Sequence, residues 1–277
     1  MKKSLVRTVS VLLCLVIGTG LLSGCNANSP AYGDGLVTLR IGATPVPHAE
    51  ILQYIRPFLL EEGIYLNIVE FTEFPLVNPA LYEGQLDANY FQHVPFLNSF
   101  INNTGNQLHI VGPIHIEPMG AYSTVINDIS ELPVGGRVAI PNDATNGGRA
   151  LMLLDYHGLI SLDPAAGILA TVEDIIYNPL ELQFYALDAA MLPRILMDGE
   201  TELAVVNTNH ILAGTNLNPL RDSLIIEDPE GNPFANVLVV RPEDAQNEAV
   251  LTLFRHLQSD RVRQFILENY DGVVPVF

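Results

Sequence analysis

The chain has 277 residues, 13 of them Lys or Arg against 31 Asp or Glu, for a formal net charge of −18. Only Lys2, Lys3 and Arg7 are charged among the first 24 residues, so the rest sets ten arginines and no lysine against all 31 acidic residues, a net of −21. So acidic a body excludes a nucleic-acid backbone as partner, and a body without lysine excludes a Gly-Lys-Ser/Thr phosphate loop, a Schiff base and a lysine general base.

Residues 1–24 read as a signal peptide. A basic start is followed by an apolar run from Val9 to Leu22, 14 residues long, where a membrane-spanning helix needs roughly 20. Leu22-Ser23-Gly24-Cys25 resembles the bacterial lipobox, which would make Cys25 the lipidated first residue and hold the protein on the outer face of a cell membrane. Cys14 would leave with the signal, so no thiol remains for a disulfide, a metal or a nucleophile. Residues 25–36, rich in Asn, Ser, Pro, Ala and Gly, read as a flexible tether.

The body that follows is 48% hydrophobic over the whole sequence and 16% charged, the balance of a well-packed globule. About 250 residues suit one large domain or two lobes of roughly 100–150 each. Thr38–Ala43 predicts a strand. His48–Glu62 places Ile51, Ile55, Phe58 and Leu59 on one helical face and closes at Gly63. Tyr65–Phe71 reads as strand, Pro79–Glu83 as helix and Leu86–Phe91 as strand. Further strands are predicted at Leu108–Ile114, Arg137–Ile140, Leu182–Tyr185, Leu203–Val206, Leu224–Glu227 and Asn236–Val240. Helices are predicted at Pro95–Asn102, Gly148–Tyr156, Ala189–Met197 and Glu248–Leu267, the last broken near Ser259. Strands alternating with helices give an α/β class with a largely parallel sheet, whose ligands bind beyond the carboxyl ends of strands.

Three loops carry candidate chemistry. Pro141 to Arg149 runs from a strand into a helix, with Thr145 or Asn146 as cap and Gly147-Gly148 permitting close backbone approach. Arg149 in that first turn opposes the helix dipole, which makes sense if its fork meets a ligand carboxylate; a surface pair with Asp143 is the plainer reading. Asp87 to Phe96, with Phe71 and Phe74 upstream, suits an apolar pocket with a few oriented polar groups, or ordinary core; a thioether would suit such aromatic walls. Asn207 and Asn236 sit at strand ends, where an amide serves a zwitterion or simply forms a turn. His48, His93, His109 and His115, with Glu50 and Glu117 nearby, show no metal-specific spacing, so no metal site is expected. No Gly-x-Ser-x-Gly elbow occurs and no spacing singles out paired carboxylates, so no catalytic residue is named.

Gly42 to Glu50, Asp87 to His93, Ile140 to Asp143, Thr145-Asn146, Gly148-Arg149-Ala150, Leu192-Pro193-Arg194 and Ala204 to Asn207 together resemble the methionine-binding lipoproteins of ABC importers, the MetQ/NlpA family, from about Leu39 to Gln264. That resemblance implies a type II periplasmic-binding-protein fold, two α/β lobes joined by a two-crossing hinge with the ligand in the cleft. Residues 37–120 plus 236–277 would form one lobe and 121–235 the other, with crossings near Pro118–Tyr122 and Asn232–Asn236. It implies a monomer with no cofactor and no enzymatic activity, delivering methionine to a membrane permease with its ATPase. By similarity Arg149 would hold the ligand carboxylate, and Asn146, Asn207 and Asn236 would fix the carboxylate and ammonium. His93 would line the cleft, while Phe74, Phe91 and Tyr90 enclose the thioether. Phe74 and the stiffening Pro75 and Pro79 leave open a shift to D-methionine or a short methionine-containing peptide. A metal-dependent surface hydrolase using His93 is the alternative from another class.

Overall fold

The computed structural model describes residues 35–277; the signal peptide, Cys25 and the tether up to residue 34 lie outside the described residues. Strand β1 (Val37–Ala43) pairs in parallel with β2 (Ile64–Glu70) and β3 (Ala88–His93). Helix α1 (Glu50–Glu61) and helix α2 (Val77–Tyr82) make the connections. The apolar stripe of α1 is its buried face: Ile51, Leu52, Ile55 and Leu59 are inside. Gly63, at φ +80°, takes the left-handed backbone just beyond the helix end.

The chain continues through α3 (Val94–Thr104) and β4 (His109–Ile116) before entering a second sheet. There it forms β5 (Gly120–Tyr122), β6 (Arg137–Pro141), α4 (Ala144–Tyr156) and a hairpin of β7 (Ser161–Leu162) with β8 (Ile175–Tyr177). Next come β9 (Gln183–Leu187), α5 (Leu192–Met197), β10 (Leu203–Val206), α6 (Thr208–Gly214), α7 (Pro219–Asp222) and β11 (Ile225–Ile226). It returns to the first sheet as β12 (Ala235–Val240), α8 (Glu248–Leu257), α9 (Asp260–Asn269) and β13 (Val274–Pro275). Ser259, where one long helix was expected to break, is the extended residue opening α9.

The first sheet has the order β13-β4-β12-β3-β1-β2 and the second β11-β5-β10-β6-β9. Both are mixed, which corrects the expectation of a largely parallel sheet. β12 runs antiparallel to β3 and β4, and β5 antiparallel to β10 and β11. These are the strands through which the chain leaves or re-enters a sheet, arriving without the crossover helix that a parallel neighbour requires. Two crossings join the sheets, residues 117–119 and 227–234. Each ends before the expected position because Gly120–Tyr122 and Ala235–Val240 are already strand.

Helices cover both faces of each sheet. α1, α8 and α9 bury Ile51, Leu253 and Ile266 against one face of the first sheet; α2 and α3 bury Val77, Leu81 and Leu97 against the other. In the second sheet Leu151 and Leu154 of α4 oppose Leu192, Leu196 and Ile211 of α5 and α6. Strands enclosed on both faces read as unbroken apolar runs, as in Leu203–Val206. A buried amide cluster is the exception. Asn78 Nδ2 donates to Gln92 Oε1 at 2.7 Å, and Asn89 Nδ2 and Gln92 Nε2 donate to Asn78 Oδ1 at 2.9 and 2.6 Å, locking α2 to β3 behind the site. Each such group stranded by a substitution would cost about 1–3 kcal/mol.

Candidate functional site

Successive strands end at one place. β3 delivers His93, β4 runs into Glu117, the loop after β6 leads to Asn146 and Arg149, β10 ends before Asn207, and the start of β12 sets Asn236, its second residue, beside His93. Together with Phe74, Phe91 and Phe96 these residues line one cavity. Both sheets contribute walls, so the site belongs to the crevice between them.

The sheets are bonded across that crevice. Asp143, not Thr145 or Asn146, caps α4: its Oδ1 accepts from the Asn146 backbone N–H at 2.9 Å, and its carboxylate also holds Asn146 Nδ2. The helix therefore starts at Ala144, and Arg149 lies in its second turn rather than its first. Held this way, Asn146 turns its Oδ1 to His93 Nε2 at 3.0 Å and to Asn207 Nδ2 at 2.9 Å. His93 Nδ1 accepts the Phe96 N–H that opens α3, so His93 is a neutral ring with its proton on Nε2. Burial first, then the nearby Arg149, depresses its pKa to about 3. Asn146 thus has both ends of its amide engaged by protein, and it organises the site. Gly147 and Gly148 do admit close backbone, but the backbone is the protein's own: a Cβ on Gly147 would sit 2.8 Å from Pro141 O and one on Gly148 2.4 Å from Ile168 O.

Arg149 is buried, and a protein carboxylate fills its fork. Nε and Nη2 donate to the two oxygens of Glu227 at 2.7 and 2.6 Å, and Nη2 also reaches Glu117 O at 2.8 Å. Glu227 in turn accepts from Met119 N at 2.8 Å and Asn232 Nδ2 at 3.0 Å. One carboxylate therefore ties α4 to both crossings between the sheets. The guanidinium lies 4.2 Å from the centre of the Phe234 ring, and Nη1 has no hydrogen-bond partner among the described residues. The pair with Asp143 does not form.

Tyr90 departs from expectation. It is fully buried and faces away from the cavity, its hydroxyl bonded to His115 Nδ1. His115 Nε2 meets Glu117 Oε1 at 2.7 Å, and His48 Nε2 lies 3.2 Å from the same oxygen and 3.1 Å from Asn236 Oδ1. His48 Nδ1 is 2.7 Å from Thr44 Oγ1. The ligand-capable atoms of His48, His115 and Glu117 lie within 4.8 Å of one another, a spacing that could admit an ion. The hydrogen bonds nonetheless account for all four ring nitrogens without one. His109, by contrast, is exposed at the start of β4.

What remains unpaired on the cavity wall defines its chemistry. Asn207 Oδ1 is buried with no partner among the described residues. Asn236 Nδ2 and Arg149 Nη1 have donor capacity to spare among the described residues. Phe74, Phe91 and Phe96 supply an apolar end, with ring centres 5.8 to 6.1 Å apart.

Residues 39–277 match the family model described as NlpA lipoprotein. The chain belongs to the NlpA lipoprotein family. Relatives in this family include the methionine-binding lipoprotein MetQ of Bacillus subtilis, 32% identical over 94% of this chain and 95% of that protein, and the D-methionine-binding lipoprotein MetQ of Escherichia coli, 35% identical over 93% of each. A nutrient-binding protein from Burkholderia cenocepacia, solved bound to methionine, superposes with a TM-score of 0.82 at 38% identity, covering 86% of this chain and all of that one. The NlpA-family fold is the two-lobed α/β binding-protein fold, with the cavity in its cleft. Its members are binding proteins, so the hydrolase reading has no support. The site here also contains groups that residue spacing did not pick out: Glu227, Phe234 and the carboxylate of Glu117. Glu227 lies 78 residues from Arg149 in a polar loop without any local signal. Glu117 was visible as half of His115-x-Glu117, a pattern too common to be specific.

Proposed function

We propose that this chain is the extracytoplasmic solute-binding component that captures methionine and passes it to the permease of an ABC importer, powered by that importer's ATPase. The observation carrying this reading is the set of unpaired groups in the cavity: donors at Arg149 Nη1 and Asn236 Nδ2 for a carboxylate, an orphaned acceptor at Asn207 Oδ1 for an ammonium, and aromatic rings for a thioether chain. Residues 37–116 with 235–277, and 120–226, act as the two closing lobes, hinged where Glu227 ties the crossings. Lipid on Cys25 anchors the chain; among the described residues no helix is long and apolar enough to cross a membrane. D-methionine is the second reading, favoured by the name of the Escherichia coli relative.

Calorimetric titration of the detergent-solubilised full chain with an amino-acid panel tests this. Methionine, in one or both enantiomers, should bind with micromolar affinity or better, and silence across the panel would sink the reading. At a 100-fold excess over Kd the ligand should add about 2.7 kcal/mol of stability. That gain is readable as a melting shift; tryptophan emission offers no signal, because the chain has no Trp.

A further inference from the structure

The Glu117 carboxylate faces donors only. His115 Nε2 lies at 2.7 Å and His48 Nε2 at 3.2 Å from its Oε1, and the Asn209 backbone N–H is turned towards it. The tautomers follow from the acceptors the rings face. A phenol can donate or accept, so the carboxylate decides for His115: opposite Glu117 Oε1 its Nε2 carries the proton, and Nδ1 accepts from the Tyr90 hydroxyl. Asn236 Oδ1 is an acceptor at 3.1 Å, so the His48 proton is also on Nε2, while Thr44 Oγ1 donates to its Nδ1. Two neutral rings, each locked in one tautomer, thus aim an N–H at a single oxygen, and the arrangement fits the anionic form of Glu117.

Among the described residues no cation pairs with that carboxylate. Arg149 is the cation nearest in the wall, yet its fork is filled by Glu227 and it touches Glu117 only at the backbone oxygen. His93 is neutral. Glu117 lines the cavity, and an unmet acceptor, the buried Asn207 Oδ1, lines it too. An uncompensated negative charge and an unmet acceptor on the wall of one cavity call for a multiply donating cation.

Resting on the reading of this cleft as an amino-acid site, we infer that Glu117, fixed by His48 and His115, is the counter-charge for the ligand's ammonium and makes the site selective for free primary amines over N-acylated or deaminated analogues. An N-acyl group replaces three N–H donors and a charge with one neutral N–H. It leaves Glu117 buried opposite an apolar methyl, the arrangement that costs most in a desolvated pair.

Calorimetry with methionine, N-acetylmethionine and 4-(methylthio)butanoate tests this on the unmodified full chain. Both analogues should bind at least ~30-fold more weakly than methionine, and binding of either within threefold overturns the inference. Glu117→Gln keeps an oxygen for the two histidines and removes the charge. It should weaken methionine at least ~30-fold while leaving N-acetylmethionine nearly unchanged, so that discrimination collapses. A folded Glu117→Gln protein, verified by its melting curve, that still binds methionine within threefold of the parent refutes the role of Glu117 while leaving the methionine reading intact. A parent chain that does not bind methionine at all would instead overturn the functional reading, and this inference with it.

Discussion

Lowering the pH from 7 to 4 is expected to unfold this protein cooperatively, with stability falling as soon as the pH drops below about 6.5. Four histidines are buried as neutral rings, and burial is the leading cause that depresses each: His48 and His210 to about 4, His93 and His115 to about 3. In the unfolded chain the same rings take up protons near pH 6.5. Between that value and the folded one the unfolded state binds more protons, so stability declines with falling pH, and the loss is complete only near pH 3 to 4. Each ring then costs roughly 3–5 kcal/mol. Four together reach the order of 10 kcal/mol, comparable with the whole stability of a typical domain. Glu117 works in the opposite sense, since burial raises its pKa and lets the folded protein take up a proton early, which offsets part of the loss. Circular dichroism against pH measures the midpoint, expected above pH 4, and a chain still fully folded at pH 4 would contradict the argument. His210 offers a control. Its Nε2 is buried without a partner and its ring lies 4.8 Å from that of Phe74, so His210→Phe should move the acid midpoint downward.

Arg149→Ala should abolish measurable methionine binding and also destabilise the fold by about 3–5 kcal/mol. The two losses have different origins. The first follows from removing the guanidinium donor that faces the cavity; the second from leaving the half-buried Glu227 beside Met119 N with its charge unmatched. Arg149→Met combined with Glu227→Gln separates them. Replacing both partners of a buried pair is often close to neutral, so the double variant should melt near the parent temperature and still fail to bind. Thermal melts with calorimetry on the three proteins provide the check. Wild-type affinity in either variant would remove Arg149 from ligand recognition and leave it only as the clamp between the crossings.

Much of the architecture is legible from local pattern, and the exceptions share a cause. The α1 stripe, the stop at Gly63 and the break at Ser259 all depend on residues within one or two turns, so periodicity and end signals reveal them. Strand direction has no such local mark, which is why the pattern predicts a largely parallel sheet where the chain forms two mixed ones. The start of α4 was misplaced for a related reason: Thr145 and Asn146 are both good caps in isolation, yet Asp143 outcompetes them by bonding to both. At the site, His93, Asn146, Arg149, Asn207, Asn236, Phe74 and Phe91 do converge on one cavity. Tyr90 does not, because alternation along β3 turns adjacent side chains to opposite faces, and the face opposite Phe91 belongs to the buried histidines. The partners of those residues were hidden. Glu227 meets Arg149 across 78 positions and Asn236 meets His48 across 188, separations that only the folded chain brings to zero.

The position of Phe96 has an optical consequence. It stands in the first turn of α3, half-buried, with its ring against Phe74 and Phe91 at the apolar end of the cavity and close to His93. The rest of the chain is free of indole. A single Phe96→Trp replacement would therefore make the whole protein's long-wavelength emission a report from one wall of the cleft, where an arriving side chain displaces water. The protein would become its own solute sensor, needing no attached dye.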